Sequence, residues 1–406
     1  MRFAIAAFVL LSSCSALPGA DWDEWRGPRR DGTLIAEPKA WPEKLNQKWK
    51  ITVGEGYSSP ILAAGSVYVF ARQEGQETAL AIDPSNGNVR WKQQYPAPYK
   101  MNPAATAHGE GPKSTPLYST GKLYTLGISG ILSSFDAETG KVRWRKEFSR
   151  EFKATSPDFG AATSPIIEGG LLIVHVGGSG QGALTAFDAD SGQVKWTWNG
   201  DGPAYASPVV VDLAGMRQVV TQSQKNIIAV SAASGKLLWK IPFTTSYEQN
   251  IVTPLVYRDT LITSGLDNGV MAIRPVRKGE EWTLEKVWQT KDASMYMNSP
   301  VITGELLFGF SHLKRGQLFC LNARTGATLW QGPPRDGDNA ALLVSPTSLV
   351  VLKNDGEMIV AKPNGKALDV VRRYTVADSS TYAHPVVLSD GVLIKDVKTL
   401  TRWSVQ

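Results

Sequence analysis

Six side chains stand at one recurring offset in this chain. Tyr57, Lys113, Tyr205, Met297, Asp338 and Tyr382 each lie three places ahead of a repeated proline slot. Phenols, an ammonium, a thioether and a carboxylate at one mouth would grip a ligand or a partner's loop, so the six form a candidate binding collar. The opposing reading is structural, with each tyrosine capping its own unit. Hydrolytic and metal chemistry find little support. The four histidines, His108, His175, His312 and His384, have no zinc-type spacing. Asp158, Glu248, Asp338 and Asp355 are acids that loops could offer to calcium, but scattered acids in such a chain are commonly turn-makers. No Gly-Xaa-Ser-Xaa-Gly elbow occurs, and the run Gly177–Gly182 has no helix behind it to cradle phosphate. The expectation is no catalytic residue and no metal site.

What must position the collar is a repeat. Ala79-Leu-Ala-Ile-Asp-Pro-Ser-Asn-Gly-Asn-Val-Arg-Trp91 returns as Ser134–Trp144 and Ala186–Trp196, and more loosely as Ala229–Trp239 and Cys320–Trp330. Each copy reads as strand, glycine turn, strand, with a small residue for close packing and tryptophan as a flat anchor against the next copy. Trp49, Trp91, Trp144, Trp196, Trp239, Trp288 and Trp330 are the predicted docking residues, with Tyr374 taking the place of tryptophan in a degenerate unit. Each unit opens on Ser/Thr-Pro or His-Pro at Pro60, Pro116, Pro165, Pro208, Pro254, Pro300 and Pro385. Between the last two, Asn339-Ala-Ala-Leu-Leu aligns with Asn298-Ser-Pro-Val-Ile, putting Ala341 in the proline slot and Ser345-Pro346 in a turn.

Starts at these positions lie roughly 40–56 residues apart, the length of a four-stranded propeller blade. The spacing predicts an all-β, eight-bladed β-propeller, with seven blades as the alternative. Leu45–Val53 looks like the outer strand of a unit whose other three strands lie beyond His384, so the N-terminal strand should close the ring and leave no open edge. The two widest spacings place insertions at Tyr95–Lys113 and Ser149–Ala162, on the face that also carries turns such as His312–Arg315 and Asp396–Lys398.

Residues 1–20 read as a secretory signal: Arg2, the apolar run Phe3–Leu11, then small residues. Leu11-Ser-Ser-Cys14 matches a lipobox, which would leave Cys14 lipidated, and cleavage near Ala16 or Ala20 would release the chain instead. Residues 21–42, with Trp22, Trp25 and Trp41, read as a strap laid across a propeller spanning 43–406. A formal net charge of +6 without long basic runs argues against specific nucleic-acid binding. Cys320 is the sole cysteine beyond the leader and reads as a small buried thiol.

The run Ala-Xaa-Asp…Gly…Trp behind a Ser/Thr-Pro strand resembles the pyrroloquinoline quinone (PQQ) repeat of eight-bladed quinoprotein propellers. Trp25-Arg-Gly-Pro, Gly56-Tyr-Ser-Ser-Pro60 and Gly109-Glu-Gly-Pro-Lys-Ser-Thr-Pro116 look like the start of its secreted bacterial branch. That resemblance implies one of two activities. Dehydrogenases of this kind hold PQQ with calcium and oxidise alcohols or sugars. BamB-like propellers serve the outer-membrane β-barrel assembly machinery by protein contact. The absence of a Cys-Cys pair and the near-bare blade length lean toward the second. The reading is therefore an exported, monomeric, non-catalytic binding scaffold of the periplasm or outer membrane, requiring no cofactor. It would contact envelope protein partners, and membrane only through a lipid anchor. A PQQ-dependent dehydrogenase and a glycan-binding propeller are the alternatives.

Overall fold

The structure is a computed structural model describing residues 21–406, so the leader with Cys14 lies outside the described residues. Its strands form eight separate four-stranded antiparallel sheets, the blades of a closed propeller. Seven blades are consecutive meanders. The eighth joins Val386–Leu388, Gly391–Lys395 and Thr399–Ser404 to Asn46–Thr52 from the other end of the chain, with Lys50 opposite Thr401. The count is eight, not seven, and the ring is closed by the N-terminal strand as the repeat predicts.

Each regular inner strand begins directly behind its proline, at Ile61, Leu117, Ile166, Val209, Leu255, Val301 and Val386. Proline has no N–H to give to a ladder, so it sits naturally at a strand start. In blade 7 the inner strand is Ala340–Val344, and Ser345-Pro346 lies in the following turn, closed by the Ser345 N–H donating to Ser348 O at 2.8 Å. The second and third strands of a blade are sandwiched between neighbours and read as apolar runs, as in Val67–Ala71 and Thr78–Ile82, buried throughout. Outer strands are half solvated, and Val89, Val142 and Val194 are exposed.

Register explains the tryptophans. The outer strand carries a bulge at Arg90, just before Trp91, so Trp91 faces Ala81 while Val89 faces Ile82. The indole then reaches the next blade. Trp49, Trp91, Trp144, Trp196 and Trp288 donate Nε1–H to the carbonyls of Pro84, Ala137, Ala189, Ala232 and Ala323 at 2.9–3.2 Å. Each ring also lies flat on the turn glycine of that next blade. A Cβ on Gly140 or Gly192 would come within 2.7–2.8 Å of the Trp91 or Trp144 ring, and both glycines have φ near +70°. The repeat's glycine and tryptophan are thus two halves of one inter-blade joint.

Three joints depart from this plan. Trp330 keeps the hydrogen bond, donating Nε1–H to Asn364 O of blade 7 at 2.7 Å, but its ring does not lie on Gly365. Blade 5 replaces the glycine turn with a long hairpin, Gly269–Lys278 and Glu281–Thr290, and Trp239 turns to Gln218 Oε1 of its own blade at 2.8 Å. In blade 7 the pairing Val360–Arg372 precedes the bulge. Arg372, rather than Tyr374, therefore stands in the tryptophan slot. Tyr374 is two places further on, and its hydroxyl donates to Pro42 O. A sequence alignment on aromatic character misses this, because the bulge decides which outer-strand residue faces the slot.

Residues 21–42 run across one face of the ring. Trp22 bridges to Leu62 of blade 1, the Tyr118 N–H of blade 2 donates to Asp23 O at 2.8 Å, and Thr33 bridges to Val344 of blade 7. Trp22, Leu34 and Trp41 are buried in one cluster with the side chains of blades 7, 8 and 1.

Candidate functional site

The collar positions converge. A chamber of about 220 Å³ on the channel axis is lined by Tyr57, Lys113, Tyr205, Met297 and Tyr382. Ala162 and Ile251, at the same offset in blades 3 and 5, line it too. Their small or aliphatic side chains gave no chemical signal in the sequence. Asp338 is not in the chamber. It stands in a wider funnel above, with His312, Arg315 and Asn354. Tyr57, His108, Tyr296, Met297 and Tyr382 border both spaces and make a waist between them. Tyr57 and Tyr382 pack at 4.8 Å between centroids, and His108 meets Tyr382 edge-on at 5.1 Å.

Both long insertions reach this end of the channel. The first forms a 3-10 turn, Pro103–His108, whose start is capped by Asn102 Oδ1 accepting from the Ala104 N–H at 3.0 Å. It delivers His108 to the waist. The second supplies Phe159, whose carbonyl accepts from Lys113 Nζ at 2.7 Å and whose N–H donates to the Tyr205 hydroxyl at 3.2 Å. Burial pulls the Lys113 ammonium down to about 8 and pushes the Tyr57 phenol up to about 12. His108 is lowered by burial and then by the nearby Lys113. Among the described residues no carboxylate lines the chamber, and Lys113 is its one lysine or arginine.

The floor is a device that the sequence showed without its purpose. The Ser/Thr of each Ser/Thr-Pro pair accepts a backbone N–H from the preceding blade. His384 donates to Ser59 Oγ, Ser59 to Thr115 Oγ1, Thr115 to Ser164 Oγ, Ser164 to Ser207 Oγ, Ser207 to Thr253 Oγ1 and Thr253 to Ser299 Oγ, all at 2.8–3.1 Å. This belt rings the channel and stops at blade 7, where Ala340 replaces the hydroxyl residue. Below it, Trp25 closes the chamber and meets the His384 ring edge-on at 5.6 Å. Buried Arg26 donates to the carbonyls of Arg30, Asp31 and Pro300. Arg30 donates to Ser164 O and Pro165 O at 2.9 and 2.7 Å and pairs with Glu24. Desolvation raises Glu24 to about 7 despite that partner, and lowers His384 to about 3.

A calcium-bound quinone of several carboxylates does not fit this donor set. The chamber offers one ammonium and no acid, and among the described residues no group of three His, Cys, Asp or Glu could hold a metal ion. Of the acids considered for calcium, Asp158 accepts from Ser179 Oγ at 2.6 Å and Asp355 pairs with Lys353 at 3.3 Å. Cys320 is buried against the blade 6 sheet, its thiol pushed up to about 12 by burial.

The family model described as outer membrane protein assembly factor BamB matches residues 75–332. A protein of that name from Shewanella oneidensis is 27% identical over 229 residues, covering 53% of this chain and 55% of the relative. One from Burkholderia pseudomallei is 22% identical with 82% of each chain covered. The alignments with the Shewanella and Yersinia pestis proteins span only 55% and 60% of those relatives. Among solved structures, BamB from Moraxella catarrhalis superposes with a TM-score of 0.63 at 17% identity, covering 89% of this chain and 100% of that one. Quinohemoprotein alcohol dehydrogenase from Comamonas testosteroni gives 0.68 at 12% identity, covering 95% and 80%. These superpositions establish a shared propeller and nothing finer.

Proposed function

This chain belongs to the family of the outer membrane protein assembly factor BamB, and from that premise we propose that it is an exported, non-catalytic binding and assembly scaffold of the bacterial cell envelope. Its leader would carry it across the inner membrane, with Cys14 as the candidate lipid anchor. Its partner would be an envelope protein, met by the loops on the mouth face of the ring. Those loops include both long insertions, held on a rigid ring, the usual arrangement for recognition. The reading needs no PQQ. The observation that carries it is the chamber's donor set: a lone ammonium, Lys113, and no carboxylate.

Two measurements test it. In-situ crosslinking from envelopes, followed by pull-down, should recover a defined protein partner whose yield falls when the turn 312–315 is replaced by glycine and serine. Recovery of no specific partner would count against the scaffold. Titration with PQQ and calcium at micromolar concentrations should leave the protein's absorbance unchanged. A bound-quinone spectrum with dye-linked alcohol oxidation would replace this reading by a dehydrogenase.

A further inference from the structure

The channel chamber has a surplus of hydrogen-bond donors that the protein itself does not use. Lys113 Nζ has one carbonyl partner, Phe159 O, and forms no ion pair among the described residues. Ser59, Ser207 and Ser299 border the chamber, and each hydroxyl oxygen is already occupied as an acceptor of a backbone N–H. A hydroxyl that accepts still carries its own hydrogen, and among the described residues no protein acceptor receives these three. The amide acceptors nearby are taken: Gln249 Oε1 by the Tyr296 hydroxyl and Asn298 Oδ1 by the Phe310 N–H. The remaining acceptors on the wall, the ring nitrogens of His108 and His384 and the tyrosine oxygens, are uncharged, so these donors around an ammonium without a counter-ion call for an anion.

The walls define the rest of the ligand. Tyr57 and Tyr382 come from blades 1 and 8, while Phe159 and Tyr205 form a second aromatic pair, 6.1 Å apart, at blade 4 across the ring. Two aromatic walls with Trp25 beneath suit a flat, apolar body. The volume of about 220 Å³ equals roughly seven waters at about 30 Å³ each, below the about 300–1,000 Å³ of sites for drug-sized ligands. One cation neutralises one charge, and a second carboxylate would be buried without a partner.

We propose that this chamber binds a small, single-ring aromatic monocarboxylate, its carboxylate on Lys113 and the serine hydroxyls and its ring between the two aromatic pairs. This site goes beyond the scaffold reading and does not depend on it. The ligand enters through the funnel and the waist at His108 and Tyr382, so occupancy would be communicated to the loops of the mouth face.

The probe is 3-phenylpropionate, followed by saturation-transfer NMR on the full mature chain and by the fluorescence of Trp25. Saturable binding is expected, with 3-phenylpropionamide and benzene-1,3,5-tricarboxylate at least tenfold weaker. Lys113→Met should weaken the acid at least tenfold and leave the amide unchanged, a readout that a merely structural lysine would not produce. Ser207→Ala, a milder change that keeps the fold, should weaken the acid a few-fold. Trp25→Phe should abolish the fluorescence change while NMR binding persists. The proposal is overturned if acid and amide bind alike, if Lys113→Met binds as the parent does, or if nothing saturates by about 10 mM, weaker than about −3 kcal/mol. These outcomes are independent of whether a protein partner is recovered from envelopes.

Discussion

Blades 1–6 and blade 7 solve the same problem differently. Along the first arc, a hydroxyl belt inside and tryptophan joints outside tie each blade to the next, most of them seated on a turn glycine; blade 5 lacks that turn, and Trp330 reaches blade 7 through its hydrogen bond to Asn364 O. Around blade 7 the belt is broken at Ala340, and Arg372 occupies the tryptophan slot toward blade 8. There the segment 21–42 supplies substitutes. Arg26 binds Pro300 O, the Leu34 N–H donates to Val344 O at 2.8 Å, and Trp41 and Pro42 meet Tyr374. The contrast teaches that a repeat can lose its own joints where a non-repeating segment covers the loss.

The largest effect should come from Arg26→Met, which leaves two buried carbonyls and a partly buried one without their donor at the weak joint. A loss of about 3 kcal/mol or more is expected in urea unfolding, from charged hydrogen bonds worth about 1.5–3 kcal/mol each. If it costs no more than Ser207→Ala, about 1 kcal/mol, the substitution idea fails. Next is the outer joint. Gly192→Ala puts a methyl 2.8 Å from the Trp144 ring at φ +70°, whereas Gly65→Ala has the same φ of about +71° with open space around it. The control should cost about 1–2 kcal/mol for the backbone alone, and Gly192→Ala about 1–3 kcal/mol more for overpacking. Equal losses would mean that the ring contact contributes nothing.

His384 stands where other blades carry a belt hydroxyl, and its folded pKa is about 3 against 6.5 when unfolded. The unfolded chain therefore takes up a proton first, so stability falls as pH drops below about 6.5, by about 2 kcal/mol at pH 5. His175, buried and lowered to about 4, contributes a similar loss. His384→Ser should remove roughly half of the acid loss between pH 6.5 and pH 5, and an unchanged pH profile would exclude His384 as a cause. The smallest effect is a repair. Ala340→Ser offers the missing hydroxyl to the Ser299 N–H and should stabilise by at most about 1 kcal/mol. A loss instead would show that blade 7 is packed too tightly to accept a hydroxyl.

Much of this was legible in the residues. The repeat spacing predicted eight blades, the rejection of Ser345-Pro346 as a strand start, and closure by the strand around Trp49. The collar offset was visible because tyrosine and lysine stand out, while Ala162 and Ile251 at the same offset did not. Tyr374 was misplaced because a bulge shifts the facing residue, and a bulge leaves no mark in composition. The belt was hidden for a different reason: each serine's partner is a backbone N–H one whole blade away. Trp25 beneath the chamber was likewise invisible, since nothing in an irregular segment states which groove it fills.

The closing strand carries a consequence for how the ring is made. Residues 46–52 emerge from the ribosome long before residues 399–404, with which they pair. Every other blade is assembled from neighbouring strands and can form as the chain appears. The eighth must wait for residues 399–404, with its outer strand unpaired in the meantime. Contacts of such long sequence separation are slow to form and leave an exposed edge open to wrong pairing. Completion of the ring is thus the expected late step of folding. A chain truncated before Thr399 would keep seven complete blades yet leave the edges of Asn46–Thr52 and Gly391–Lys395 unsatisfied, and would favour association over monomers.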